Sequence, residues 1–325
     1  MMLGIKDALH MLRAMAAIVT LVFVCAGPSW AQGTNLTTIR FTSSSSDDLR
    51  PILYAQSAGL FQKAGLNVVI EKASSGGVVA QSVIGGAVDI GKASLSSLIA
   101  AHARGVPFVL IAPSAIHRKE ESNSGVMLAA SSTIKSVLDL QGKVVGCTAI
   151  GDIGYLGLRE MIDAQGGDSG TVKWVEIPTS ALSATVEQGR VDAGLTTEPY
   201  MTKDMATGKF KILVDMLNGY SHPILESAFF ARRDFVDKNR EAVARFATVL
   251  QQAAAYADNH VAETLPLLVS FTSMDAEMAQ KMHHTYTALS FDPQQIQPVI
   301  DAAAKYQIIP KGFPARDMIS SGPAR

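Results

Sequence analysis

The sequence predicts an α/β protein with two similar lobes, a cleft between them and a hinge that the chain crosses twice. Strand and helix patterns alternate from Leu36 onward, which is typical of βαβ units and of mostly parallel sheets. The pattern V-x-x-G-x-V-D-x-G begins at Val83 and again at Val186. This offset of about 100 residues matches a small domain and is too long for a solenoid repeat. Polar segments at 113–125 and 218–223 fit the two crossings.

In the first lobe, short apolar runs bounded by turn residues predict strands, and stretches that open on Ser or Pro predict helices. The predicted strands lie at 36–42, 66–71, 88–91 and 107–112. The predicted helices lie at 50–65, 76–84 and 94–104.

The same reasoning gives the second lobe strands at 126–129, 143–147, 172–177, 191–195 and 211–214. Its predicted helices lie at 153–165, 179–188 and 198–207. We expect 224–231 to return to the first lobe as an antiparallel strand. The remainder reads as helices at 234–258, 261–271, 275–288 and 293–306.

These patterns predict three parts of the chain. Residues 1–31 read as a cleaved signal peptide, with Lys6 and Arg13 before an apolar run and a small-x-small site ending at Ala31. Residues 32–125 plus 220–325 form the first lobe with the C-terminal helices, and residues 126–219 form the second lobe. Cys25 leaves a lipid anchor open as a minor alternative.

Composition limits the function. Beyond the predicted signal peptide the chain keeps a single cysteine, Cys147, so a packed core and not disulfides must stabilise it. The formal net charge of −1 argues against nucleic acid or an anionic membrane surface as the main partner. We expect a periplasmic monomer without cofactor or metal.

Five short segments recur in this order in one known family. They are Ala58-Gly59-Leu60-Phe61, Lys63-Ala64-Gly65-Leu66, Val88-Asp89-Ile90-Gly91, the run from Ile134 to Lys143, and Thr197-Glu198-Pro199-Tyr200. From about Thr38 to about Val236 the chain resembles the periplasmic solute-binding proteins of ABC importers for sulfonates, taurine, nitrate and thiamine-precursor pyrimidines. The resemblance implies a type II periplasmic-binding-protein fold that closes on a small solute and docks a membrane permease.

Ligands of open α/β sheets bind beyond the carboxyl ends of the strands, so that edge supplies the candidate site. These loops are rich in hydroxyls and in free backbone N–H groups at helix starts, which favour a polar or anionic head group. The candidates of the first lobe are Ser43, Ser44, Asp47, Ser74, Ser75, Gly76, Gly77, Lys92 and Ser94. Those of the second lobe are Thr148, Ile150, Gly151, Asp152, Ile153, Thr179, Ser180, Thr196 and Glu198. Tyr54 and Tyr200 are candidates for stacking on, or hydrogen bonding to, a ring.

Two charged candidates have competing interpretations. Lys92 either neutralises an acidic solute or is a solvated lysine at a lobe edge; its counterpart in the second copy is Leu195. Asp152 stands where the resembling family often has Gly-Ser-Ser. It is either a plain helix N-cap or a ligand contact that would disfavour a bare anion such as nitrate.

No catalytic residue is expected, because the chain lacks H-E-x-x-H and G-x-S-x-G. The segment from Gly86 to Ala93 narrowly fails the phosphate-loop pattern, since Ala93 replaces the hydroxyl residue. Two alternatives to an import protein stay open. One is an enzyme on the same fold, similar to the thiamine-pyrimidine synthases, and the other is a periplasmic sensor subunit.

Overall fold

The computed structural model describes residues 36–119, 123–221 and 223–320. The predicted signal peptide and Cys25 lie outside these residues. From Leu36 onward the chain forms one compact unit, so the division into lobes at 32–125 plus 220–325 and 126–219 stays a prediction. Within the described residues, none of the helices combines the length and the hydropathy that a membrane crossing requires.

The first part of the chain alternates strands and helices as predicted. Its strands are β1 (Thr37–Ser43), β2 (Leu66–Lys72), β3 (Ile90–Ser94) and β4 (Phe108–Pro113). Its helices are α1 (Arg50–Ser57), α2 (Leu60–Lys63), α3 (Gly76–Ile84) and α4 (Leu95–Ala103). The single helix predicted at 50–65 is wrong. Gly59 adopts a φ of 67°, and this left-handed residue separates α1 from α2.

The middle of the chain continues the alternation after a short crossing strand. Its strands are β5 (Ala115–His117), β6 (Ser124–Ala129), β7 (Val144–Cys147), β8 (Lys173–Glu176), β9 (Ala193–Thr197) and β10 (Phe210–Ile212). Its helices are α5 (Ile153–Ala164), α6 (Thr179–Glu187) and α7 (Tyr200–Met205).

The last part is mainly helical. Its strands are β11 (Ile224–Leu225), β12 (Ser227–Arg232) and β13 (Tyr286–Thr287). Its helices are α8 (Arg233–Lys238), α9 (Arg240–Asn259), α10 (Val261–Thr272), α11 (Ala276–Lys281) and α12 (Gln297–Lys305). The helix predicted at 275–288 is wrong beyond Lys281. There the β-branched and aromatic run at 285–287 supplies β13, which pairs with β5.

The two five-stranded sheets have the same order. The first sheet runs β2-β1-β3-β12-β4, and the second, listed from β8, runs β8-β7-β9-β6-β10. In each, three parallel strands are followed by an antiparallel one, β12 or β6. The antiparallel return predicted at 224–231 is confirmed for β12, but residues 224–225 form the separate strand β11, which pairs with β5. The sheets are less parallel than expected, because β12 and β6 each pair antiparallel with both neighbours.

The sequence repeat marks the middle strand of each sheet. Gly91 in β3 and Gly194 in β9 occupy equivalent places, and a Cβ there would lie 2.7 Å from Val79 or 2.8 Å from Leu182. Both glycines therefore let a helix pack closely on the sheet. They lie inside the strands and do not end them. β3 and β9 each begin two residues later than predicted, since the preceding turn residues are not yet in the strand.

A small third sheet joins the crossings. β5 belongs to the first crossing and pairs antiparallel with both β11 of the return crossing and β13. Ile116 lies opposite Leu225 on one side and Tyr286 on the other. The two connections are therefore held side by side, which is the arrangement expected of a two-strand hinge.

Candidate functional site

Lys92 is buried at the carboxyl end of the first sheet. Its side chain is 5% exposed, and its ammonium donates to the carboxylate of Asp48 and, at 2.7 Å, to Ser46 Oγ. The interpretation of Lys92 as a solvated lysine is therefore wrong. Because Asp48 already neutralises this ammonium, the pairing also argues against Lys92 as the counter-charge of an acidic solute.

The carboxylate of Asp48 accepts hydrogen bonds from residues of several strands and loops. Ser114, just before β5, and Ser227, the first residue of β12, donate to its other carboxylate oxygen. Burial alone would raise the pKa of Asp48, but Lys92 and the hydroxyls of Ser227 and Ser46 lower it to about 2. Asp48 was not a sequence candidate, and it ties both ends of the hinge to the first sheet.

The carboxylate of Asp47 is also hydrogen-bonded within the protein. Its Oδ2 accepts from the backbone N–H of Thr285 at 2.6 Å, while Arg50 and His284 contact Oδ1 at 3.2 Å and 3.0 Å. These bonds hold the 283–285 segment against the start of α1. Asp47 thus positions a segment that the sequence analysis did not include in the site.

In the loop that precedes α5, carboxylates accept hydrogen bonds from the backbone N–H groups. Asp152 Oδ1 accepts from Tyr155 N at 2.7 Å, and Oδ2 accepts from Ala149 N at 3.3 Å. Glu176 Oε1 accepts from Ile150 N at 2.8 Å. The N-cap interpretation of Asp152 agrees with this geometry. Burial raises the pKa of Asp152, and the loop offers few free donors to an anion.

Glu198 connects the second sheet to the C-terminal segment. Its carboxylate accepts from Thr202 N at 3.0 Å and Thr202 Oγ1 at 2.8 Å, which caps α7. Its Oε1 also accepts from the backbone N–H of His283 at 3.2 Å. Tyr200, at the start of α7, is 38% exposed and so is open to a solute.

The remaining candidates differ in accessibility. Ser75 Oγ accepts from Val78 N as the N-cap of α3, and Ser94 donates to Ser97 at 2.8 Å on α4. Exposed candidates are Ser74, Gly77, Thr148, Ile150 and Ser180, and half-buried ones are Ser44, Gly76, Ile153 and Thr179. Ser43, Gly151 and Thr196 are buried. One face of the Tyr54 ring is covered by Tyr256, with ring centroids 4.3 Å apart.

Four residues beside Glu198 complete a cluster at the hinge, and the sequence analysis missed all four. Asn123 Nδ2 donates to Glu226 Oε1 at 3.3 Å and to Thr285 Oγ1 at 3.2 Å. The carbonyl of Asn123 accepts from Glu198 N at 2.9 Å. We call Asn123, Glu198, Glu226, His283 and Thr285 the hinge cluster. A sequence signal existed for Glu226, a lone acid within the apolar run at 224–231.

Of the two acids in the hinge cluster, Glu226 has fewer hydrogen-bond donors among the described residues than Glu198. Its side chain is half-buried between β11 and β12. Burial, and then the charges of Asp48 and Asp215, raise its pKa to about 7, against the opposing effects of Asn123 and Lys92. Glu226 therefore changes its charge near neutral pH.

A cavity of about 290 Å³ borders the hinge cluster. Asn123, His283 and Thr285 line it, together with Arg50 and Asp258. Its volume is at the lower end of that usual for small-molecule sites. In the part of the chain that the structure describes, no group of three His, Cys, Asp or Glu side chains is arranged to hold a metal ion.

Comparison with known proteins relates this chain to a family and to individual relatives. A family model described as NMT1/THI5 like matches residues 47–264. A Bacillus subtilis (strain 168) protein named for binding aliphatic sulfonates is 25% identical over 279 residues, which cover 84% of this chain and 82% of that protein.

Two further similarities bear on function and fold. A 4-amino-5-hydroxymethyl-2-methylpyrimidine phosphate synthase of Saccharomyces cerevisiae is 25% identical over 218 residues, which cover 63% of this chain and 62% of the synthase. The periplasmic aliphatic sulphonate binding protein of Escherichia coli superposes with a TM-score of 0.74 at 19% identity, covering 87% of this chain and 97% of that one. The structural match supports the type II periplasmic-binding-protein fold.

Proposed function

Because this chain belongs to the NMT1/THI5-like family, we propose that it is the periplasmic solute-binding component of an ABC importer. It captures a small polar or anionic organic solute by closing its lobes and delivers it to a membrane permease. Sulfonates, carboxylates including aromatic acids, and thiamine-precursor-like pyrimidines are the candidate solutes. Periplasmic location, a monomeric state and the permease partner are parts of this proposal.

The paired hinge strands are the observation that carries the proposal. β5 and β11 run side by side between two sheets of the same strand order. Hinges of this kind absorb the rotation that closes two lobes on a ligand. The hinge cluster lies at this junction, where Glu198 of the second sheet reaches the 283–285 segment.

The charges at the site disfavour a bare anion such as nitrate. Asp48 neutralises Lys92, and Asp152 and Glu176 occupy amide donors of the loop before α5. Exposed hydroxyls remain, among them Ser94 and Ser97, which are hydrogen-bonded to each other. An organic solute that combines an acid or hydroxyl group with an N–H donor suits this mixture of donors and acceptors.

The enzyme alternative follows from the pyrimidine phosphate synthases among the relatives. Against it, a relative that shares 82% of its length with this chain is named for binding. An enzyme would return its bound compound altered, whereas a binding protein would release it unchanged. A sensor subunit would bind and close in the same way but would need no permease.

Thermal-shift screening of the mature protein with sulfonates, aromatic acids, nitrate and pyrimidines tests the proposal. We expect at least one organic solute to raise Tm, to reduce the radius of gyration in solution scattering, and to be recovered unchanged by mass spectrometry. Chemical conversion of the solute, or the absence of any small-molecule binding, would contradict the importer function. Transport into permease-containing proteoliposomes then separates import from sensing.

A further inference from the structure

We infer that the solute carries an amino group, and that Glu226 of the hinge cluster binds it with the help of Asn123. This inference rests on the proposed function and specifies the chemistry of the same site. It arises from the hydrogen-bond partners of the acids around the hinge.

Most of these acids are already satisfied. Asp48 accepts from Lys92 and three hydroxyls, Asp47 accepts from Thr285 and is paired with Arg50, and Glu198 accepts from Thr202 and His283. Among the described residues, the amide of Asn123 is the donor that reaches Glu226. Oε1 of Glu226 receives this bond, at 3.3 Å, and no described residue donates to its Oε2, which can therefore accept from a solute.

The negative charges around Glu226 favour a positively charged donor. Asp48 and Asp215 add negative potential at Glu226, and Lys92, an ammonium that opposes them, is bonded to Asp48. A half-buried carboxylate in a negative field takes up either a proton or a positively charged partner. A solute amino group supplies that partner.

Asn123 provides the second acceptor. Its Nδ2 is fixed by Glu226 and Thr285, so its Oδ1 faces away from both. This Oδ1 is buried without a hydrogen-bond partner among the described residues, in a side chain that lines the cavity of about 290 Å³. A buried acceptor without a donor is costly, and an N–H of the solute would satisfy it. Glu226 and Asn123 Oδ1 are both acceptors, so each favours an amine over a second acid.

Matched pairs of probes test the inference, each pair differing in an amino and a hydroxyl group. The pairs are 2-aminoethanesulfonate with 2-hydroxyethanesulfonate, 3-aminopropanoate with 3-hydroxypropanoate, and 4-amino-5-hydroxymethyl-2-methylpyrimidine with its 4-hydroxy counterpart. Calorimetry should show the amino member of at least one pair binding about tenfold or more tightly, since a charge-assisted hydrogen bond is lost in its partner.

Variants then locate the effect. Glu226→Gln keeps the shape and removes the charge, so it should abolish the preference for the amino member, whereas Glu187→Gln, an exposed carboxylate paired with Lys209, should keep it. Asn123→Ala should weaken both members of the pair. Circular dichroism of each variant checks that it is folded.

The pH dependence gives an independent readout. Affinity for an alkyl-amino probe should rise from pH 6 to pH 8 in the wild type, because Glu226 loses its proton in that range. Asp48, Asp215 and Lys92 also face Glu226, and His117 lies 3.5 Å from Asp215. The rise must therefore disappear in Glu226→Gln to be assigned to Glu226.

The possible results separate the two proposals. Equal binding of both members, or an unchanged preference in Glu226→Gln, overturns the role of Glu226. Binding of other panel solutes but of no amino probe overturns the amine inference and leaves the importer function intact. If no small molecule binds at all, both proposals fail.

Discussion

Asp48 and Lys92 form an ion pair beneath the carboxyl end of the first sheet, each with a side chain 5% exposed. The same carboxylate accepts from Ser114, just before β5, and from Ser227, the first residue of β12. This pair therefore acts as an anchor for the hinge. Lys92 thus has a carboxylate partner within the protein, and its contact with a solute stays a prediction.

Replacing Lys92 by alanine should destabilise the fold. It leaves Asp48 buried and unpaired, which costs about 3–5 kcal/mol. Urea unfolding measures the loss, and Lys209→Ala, which breaks an exposed pair with Glu187, is the control and should cost less than about 1 kcal/mol. A Lys92→Ala variant of wild-type stability that binds solute weakly would instead restore Lys92 to the solute site.

Asp48 should make the protein acid-sensitive. Its pKa is lowered from 3.8 to about 2, so its contribution is present above pH 4 and is lost as pH falls toward 2. The double variant Asp48→Asn with Lys92→Met lacks this titration. The stability difference between wild type and double variant should shift by roughly 2 kcal/mol between pH 5 and pH 2. A constant difference across this range would mean that Asp48 is not held ionised by its partners.

Glu226 should destabilise the folded protein as pH rises through neutrality, which is the opposite of the effect of Asp48. Its folded pKa is raised from 4.5 to about 7, so folding is progressively disfavoured as pH rises through this interval. Glu226→Gln should therefore gain roughly 1–3 kcal/mol relative to wild type between pH 5 and pH 8 in the absence of solute. Denaturant unfolding at several pH values measures this gain, and the exposed Glu187→Gln should show none. A pH-independent difference would place the pKa of Glu226 in the ordinary range.

The repeat glycines should not tolerate a side chain. A Cβ at Gly91 or Gly194 would lie within 3 Å of Val79 or Leu182, so each substitution by alanine should cost about 1–3 kcal/mol through overpacking. Gly76 has open space at its Cβ, and Gly76→Ala serves as the control in thermal unfolding. Equal melting temperatures for all three variants would show that α3 and α6 can shift away from the sheets.

Much of the fold was predictable because the sequence repeats itself. The copies that begin at Val83 and Val186 place equivalent strands at the centre of two sheets of one order. Asp89 accepts from Arg40 N and Asp192 from Val144 N, so both copies clamp the neighbouring strand in the same way. The helix break at Gly59 and the strand at 286–287 were missed, since local patterns there also fit a continuous helix.

The site was less predictable, because partners and not residue types decide what a polar side chain does. The strand-end rule selected Lys92, Asp152 and Glu198, and the structure gives each of them partners within the protein. Glu226 carries no motif, and its importance comes from Asn123 and from charges on other strands.

The sequence by itself determined the two-sheet architecture, because periodicity and repeats are local properties of the chain, and it predicted the edge where we propose that a solute binds. Only the tertiary structure decided which charged side chains at that edge are paired within the protein and which are not. Lys92 and Asp48 are 44 positions apart, and their pairing and burial exist only once β3 lies beside β1. Among the described residues Glu226 has no salt-bridge partner for the same reason, since burial and neighbouring charges arise from packing.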